Sequence, residues 1–138
     1  QLNNLLSTYH VFYLNVRGYH WNVKGEHFFT LHPKFEELYT SLQLQIDEIA
    51  ERILTLGGTP LHAYSDFAQH TSISEDKNVK DGTSCVKGVV TGLQALIAEQ
   101  RQVSSLAAES DDQGTADLVD EYVQEQEKLV WMYNAFLG

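Results

Sequence analysis

Apolar residues recur at spacings of three and four along nearly the whole chain, and no stretch alternates as a half-buried strand would. The first stripe comprises Leu2, Leu5, Tyr9, Phe12, Val16, Tyr19 and Val23, and Gly25 stands where it stops. A second comprises Phe35, Leu38, Leu42, Ile46, Ile49, Ile53 and Leu56, with Thr30 as the expected N-cap and Pro33 in the first turn. Gly57-Gly58-Thr59-Pro60 ends that helix, because glycine turns left-handed and proline cannot continue it. A third helix is predicted over residues 84–108 on Val86, Val89, Val90, Leu93, Leu96, Ile97, Val103 and Leu106. After a turn over residues 109–114, a fourth carries Leu118, Val119, Tyr122, Val123, Leu129, Val130, Tyr133, Phe136 and Leu137. Residues 61–82 are long for a bare loop, and residues 65–69 are expected to form a short connecting helix within them. This pattern predicts an all-α four-helix bundle with a long crossover between its second and third helices, not a simple up-and-down bundle.

The 138 residues fit one domain over the whole chain. No apolar run approaches the roughly 18–20 residues of a membrane helix. The opening Gln1-Leu2-Asn3-Asn4 lacks a basic region followed by an apolar stretch, so no secretory signal is expected. Cys85 is the only cysteine, which excludes an intrachain disulfide and fits a reducing cytoplasm; it reads as a small buried hydrophobe. Nineteen acidic against nine basic residues give a formal charge of −10, a surface that repels nucleic-acid phosphates and attracts cations.

The second helix carries the candidate chemistry. On a wheel of about 100° per residue with Leu42 at zero, its apolar stripe lies within roughly 40° of zero. Glu36 then falls near ~120°, Asp47 near ~140°, Glu51 near ~180° and His32 near ~80°, all on one flank outside the bundle's own core. Leu44 and Leu54 lie on or near the same flank, which points to a second contact surface, with another subunit. Asp47 and Glu51 are spaced i,i+4 and can converge on one ion, as can His32 and Glu36. The two pairs are separated by about 16 Å along a helix, so one subunit cannot bring them together. Antiparallel pairing of this helix with its own copy can. Residues whose numbers sum to 83 then face each other, and both His32 with Glu51 and Glu36 with Asp47 meet that condition. The axis passes near Ser41 and Leu42, and a twofold interface creates two identical sites at once.

His20, near the end of the first helix and about 40° from Val16, adds a second imidazole. Two imidazoles and three carboxylates suit iron(II), and the lack of thiolates argues against structural zinc.

These residues resemble the Dps family (DNA-binding protein from starved cells), the mini-ferritins. The resemblance rests on His20-Trp21, Gly25, Phe28-Phe29-Thr30-Leu31-His32, Phe35-Glu36-Glu37-Leu38-Tyr39 and Asp47-Glu48-Ile49-Ala50-Glu51-Arg52. It continues through Leu56-Gly57-Gly58-Thr59-Pro60 and the closing Trp131-Met132-Tyr133-Asn134-Ala135-Phe136-Leu137-Gly138. It implies a ferritin-like bundle and an intersubunit site for two irons, with His20, His32 and Glu36 from one subunit facing Asp47 and Glu51 of its twofold mate. The third position is often Asp in the family; here it is Glu36. Also implied are a hollow dodecamer, ferroxidase activity with hydrogen peroxide as preferred oxidant, ferric oxide stored inside, and protection from oxidative damage. Trp21 beside the site is expected to quench stray oxidising equivalents. An iron-entry pore at a threefold axis is implied most directly at Asp117, with Asp112, Asp120 and Glu121 nearby.

Three rivals stand against this reading. DNA compaction, which the family name advertises, often depends on Lys-rich tails, and none is present in this sequence. Twelve copies at −10 carry a formal −120, so strong DNA binding is not expected. A ferritin-type oxidase with its site inside the bundle uses Glu-x-x-His, and no histidine here has Glu three positions before it. A purely structural helical protein predicts no metal at His32 and Glu36. His10, His27, His62 and His70 are expected to be surface or packing residues.

Overall fold

A computed structural model describes all 138 residues. Five helices account for most of them: α1 (Leu2–Asn22), α2 (Phe28–Thr55), α3 (Tyr64–His70), α4 (Gly82–Glu109) and α5 (Gln113–Leu137). α1 and α2 form one antiparallel hairpin, α4 and α5 another, and α1 packs across to α4. Thr8 bonds Glu99 and Tyr19 bonds Asp76 before the start of α4, so α1 also runs antiparallel to α4. α2 and α4 are therefore parallel, and the chain must travel the length of the bundle between them. That journey is the crossover, with α3 lying against α1. No helix is long and apolar enough to cross a membrane.

The apolar stripes close on one core. Leu5, Tyr9, Phe12, Val16, Phe35, Leu42, Ile49, Val89, Leu93, Leu96 and Val119 are all essentially inaccessible to solvent. Two glycines of α4 set how closely α1 approaches. A Cβ on Gly92 would lie 2.2 Å from Phe12 Cε1, and one on Gly88 would lie 2.2 Å from the Tyr19 hydroxyl. Cys85 is buried with its thiol toward the Val79 carbonyl, and burial pushes that thiol up to about 11.

The boundaries differ from expectation at three helix starts. α2 begins at Phe28, so Thr30 is helical and not a cap. Gly25, at φ +113°, turns the chain so that the Phe28 N–H reaches the Gly25 carbonyl and the Leu31 N–H reaches that of His27. The turn thus rolls directly into the helix, Leu31 joins the core, and Pro33 sits inside α2, where it cannot donate to the Phe29 carbonyl. α4 starts two residues early because Asp81 caps it, accepting from the Ser84 N–H at 2.9 Å. α5 starts at Gln113 under an Asp112 cap and takes in Gly114, where the missing side chain leaves room for the Arg52 guanidinium.

The core is not wholly apolar. Tyr9 donates to Gln100 Oε1 (2.6 Å), Gln100 Nε2 donates to Gln126 Oε1 (2.7 Å), and Gln126 Nε2 donates back to the Tyr9 hydroxyl (2.8 Å). This closed ring of three bonds satisfies buried polar groups that would otherwise destabilise the bundle. Beside it Tyr122 donates to Glu48 at 2.5 Å. The bundle interior thus holds amides and phenols, and no group of three or more His, Cys, Asp or Glu is arranged to hold a metal ion there or anywhere else in the single chain.

Candidate metal centre

His20 occupies the last turn of α1 and His32 the second turn of α2, so the tight turn at Gly25 brings them side by side. Their rings stack 3.8 Å apart at an interplanar angle of 11°. His20 Nδ1 lies 2.6 Å from the His32 carbonyl oxygen, and His32 Nδ1 lies 2.7 Å from that of His20. A carbonyl oxygen only accepts, so each Nδ1 carries the proton and donates. In the neutral rings, Nε2 then keeps a lone pair. This arrangement orients imidazoles as metal ligands, with the second nitrogen tied to backbone.

The brace depends on where α1 ends. A helix leaves its last carbonyls without intrahelical partners. The Lys24 N–H, which would serve the His20 carbonyl in a longer helix, bonds Lys80 in the crossover instead, at 2.7 Å. The His20 carbonyl is thereby left to His32. Phe28 stacks against His32 at 4.9 Å, and Tyr39 meets His20 edge-on at 5.3 Å, so aromatic rings border both imidazoles. Glu36, one turn beyond His32, places Oε1 3.8 Å from His20 Nε2. His20 is buried while Glu36 is 57% exposed, so the group opens outward from α2.

Asp47 and Glu51 sit on the same helix, exposed and without an ion-pair partner. Within one subunit His20 stacks on His32 and Glu36 Oε1 lies 3.8 Å from His20 Nε2, but these three do not form a metal-holding group by themselves, and Asp47 and Glu51 do not complete one. Leu44 (64%) and Leu54 (58%) are bare on the helix that carries them. Trp21 is exposed, with the Arg17 guanidinium 4.8 Å from its ring centre.

The acidic stretch around α5 divides in two. Asp112 caps the helix through the Thr115 N–H and hydroxyl and pairs with Arg52 at 2.7 Å. The Thr115 side-chain bond, followed by those from Arg52, holds its carboxyl below the usual range. Asp117 accepts from Gln113 at 2.7 Å, and Asp120 and Glu121 are exposed. Among the other histidines, His10 stacks on Phe67 at 3.9 Å; burial lowers its pKa, opposed by the charge of Asp47. His27 is exposed beside Glu26, and His62 and His70 bond only backbone carbonyls.

Sequence reasoning missed the reciprocal brace, the ring of Tyr39 against His20, and the polar core. The hairpin register was available as a signal: antiparallel helices pair residues of constant number sum, and both His20 with His32 and Tyr13 with Tyr39 give 52. Gln45, Gln100 and Gln126, all buried, were the visible sign of a polar interior.

The profile of the ferritin-like domain family matches residues 1–138. The fold superposes on the crystal structure of a Dps protein from Vibrio cholerae O1 with a TM-score of 0.98. The two are 53% identical, over 99% of this chain and 86% of the other. This chain belongs to the Dps branch of the ferritin-like family. The Vibrio cholerae protein is described as a member of a broad superfamily of ferritin-like diiron-carboxylate proteins. The Dps structure from Listeria monocytogenes matches with a TM-score of 0.96 at 32% identity, over 99% of this chain and 90% of that one. The DNA protection during starvation protein of Porphyromonas gingivalis is 40% identical over 135 residues, 98% of this chain and 85% of its own length. The Dps assignment rests on these matches over the whole chain, independently of the metal-site geometry.

Proposed function

We propose that this Dps chain oxidises Fe(II) at a centre shared by two subunits and stores the ferric product inside a hollow dodecamer, protecting against oxidative damage. The observation that carries the proposal is the His20–His32 brace, which ties both Nδ1 atoms to backbone and leaves each Nε2 free to ligate, that of His20 3.8 Å from Glu36 Oε1. His20, His32 and Glu36 supply one half of the site, and Asp47 and Glu51 of the twofold mate the other. Two imidazoles and three carboxylates form a mixed nitrogen and oxygen donor set that holds iron. Carboxylates favour Fe(III) over Fe(II) and so make the bound ion a better reductant. Two Fe(II) give one electron each to hydrogen peroxide, the O–O bond breaks, and two protons complete two waters. Paired delivery avoids release of hydroxyl radical, which is the physical reason to prefer peroxide at a two-iron site. Trp21, exposed next to His20 in the chain, stands ready to intercept oxidising equivalents that escape. Asp117, Asp120 and Glu121 give the start of α5 a negative surface suited to drawing iron inward, while Asp112 is already committed to Arg52 and the helix cap.

Mixing the anaerobic protein with Fe(II) and hydrogen peroxide and following near-ultraviolet absorbance of the ferric product tests the reading. Asp47→Ala with Glu51→Ala is expected to abolish fast oxidation while leaving the helical fold intact, since both side chains are exposed. An unchanged rate overturns the site. The formal charge of −10 per chain opposes direct DNA binding, so plasmid mixed with the protein at low salt is expected to migrate freely in a gel.

A further inference from the structure

Between α3 and α4 the chain crosses the bundle with little backbone support. No backbone N–H or carbonyl of residues 72–79 bonds another backbone group. Side chains of α1 hold the segment instead. Thr8 Oγ1 accepts from the Ser72 N–H at 3.0 Å, and Asn15 donates to the Ser74 carbonyl at 3.1 Å. Asn15 also accepts from the Asp76 N–H at 3.0 Å, and the Tyr19 hydroxyl donates to Asp76 Oδ2 at 2.5 Å. Spacings of seven and four put Thr8, Asn15 and Tyr19 on one stripe of α1.

The last of these holds lies beside the histidines. Tyr19 precedes His20 in α1 and is 2% exposed, so its hydroxyl depends on Asp76, its one partner. Gly88 of α4 leaves the space for both: a Cβ there would lie 2.2 Å from the Tyr19 hydroxyl and 3.0 Å from Asp76 Oδ2. Beyond Asp76 the chain turns at Asn78, whose φ is +62°, and the Lys80 carbonyl then takes the Lys24 N–H at 2.7 Å. Val23 is extended there, with ψ 138°, and α1 ends. Were Lys80 to withdraw, the Lys24 N–H could turn back to the His20 carbonyl as the next helical bond, in competition with His32 Nδ1.

We infer that Asp76 is a positioning residue for the metal centre: by binding Tyr19 it holds the crossover where Lys80 draws off the Lys24 N–H and leaves the His20 carbonyl to His32. The inference rests on the proposed centre at His20, His32 and Glu36. It makes the crossover, which supplies no ligand, the element that fixes which nitrogen of His32 faces the metal.

The test is solid-state nitrogen NMR of the intact metal-free protein carrying 15N-histidine, with Co(II) binding measured on the same samples. Both His20 and His32 are expected as Nδ1–H tautomers in the natural protein. Asp76→Ala is expected to shift part of the His32 population to the Nε2–H tautomer and to weaken Co(II) binding about tenfold. Asp76→Asn, whose amide oxygen still accepts from the phenol, is expected to keep both properties. Tyr19→Phe removes the same bond from the other side and is expected to repeat the two changes, which covers an Asp76→Ala protein that fails to fold. Gln100→Leu, which loosens the bundle without touching the hairpin, is expected to leave the tautomers alone.

An Asp76→Ala protein that keeps both tautomers, or changes them with no loss of Co(II) affinity, overturns the inference. So does a Gln100→Leu protein with the same tautomer shift, because general loosening would then be the cause. Natural protein that shows both Nδ1–H tautomers yet binds no Co(II) overturns the metal centre itself, and the role of Asp76 with it.

Discussion

His20 and His32 each protonate the nitrogen that faces the other's backbone, so the two rings fix one another's tautomer as well as position. Replacing either histidine leaves the other's carbonyl without its donor and removes the ring stacked on it, while the other's Nδ1 keeps its bond to the backbone oxygen that remains. The two histidines thus form one unit of the proposed site, and its other proposed half, Asp47 and Glu51, lies elsewhere on α2.

Complementation between subunits follows. A chain carrying His20→Ala and His32→Ala lacks one half-site, and a chain carrying Asp47→Ala and Glu51→Ala lacks the other. Each is expected to be inactive alone. When they are refolded together, a mixed dimer has one intact site and one empty of both halves. With random pairing, half the dimers are mixed, so iron oxidation is expected to recover to about a quarter of the natural rate. No recovery in the mixture would place both halves in one subunit and contradict the shared centre.

Gly92 is expected to resist replacement. Alanine in a helix interior normally gains about 1 kcal/mol over glycine. Here its Cβ would meet the buried Phe12 ring at 2.2 Å, and overpacking costs roughly 1–3 kcal/mol. The clash wins, so Gly92→Ala is expected to lower the thermal midpoint. A rise would show that α1 can shift away from α4 at little cost.

Leucine in place of Gln100 removes two bonds of the interior ring. The Tyr9 hydroxyl loses its acceptor and Gln126 Oε1 its donor, each buried. Leaving such groups unpaired costs on the order of 1–3 kcal/mol each. Urea denaturation of Gln100→Leu is expected to show a matching loss, and equal stability would mean that water replaces the missing partner.

Asp112 links pH to stability at the α2–α5 junction. Bonds from Thr115 and Arg52 depress its folded pKa below the ordinary 3.8. The folded state thus favours the carboxylate, and its contribution is fully present above 3.8 and is lost as pH falls through the lower, folded value. Asp112→Asn is expected to be less stable than the natural protein at neutral pH, with the gap closing in acid. Denaturation curves of both proteins at several pH values check this; a gap independent of pH would assign the effect to cap geometry rather than charge.

Much of this was legible in the chain. Helical periodicity is a local property, so the stripes from Leu5 to Val119 reported which faces are buried, and the long stretch before Gly82 signalled the crossover. The residue types and spacing of His20, His32, Glu36, Asp47 and Glu51 named the candidate ligands, because side-chain chemistry and helical pitch are written in the sequence. What only the tertiary structure decided were relations between elements. The start of α2 at Phe28 depended on how the Gly25 turn hands its carbonyl to the incoming helix. Asp112 caps α5 locally through Thr115, but its pairing with Arg52, sixty residues away in the chain, was set by packing. The histidine brace required the Lys24 N–H to be drawn off by Lys80, freeing the His20 carbonyl. A backbone oxygen carries no mark in the sequence of whether it is satisfied, and a ring no mark of which cation lies over it. Both are set by what packing brings within 3–5 Å, and for Tyr39, Tyr13 and Arg17 that is the register of one hairpin and one turn of helix.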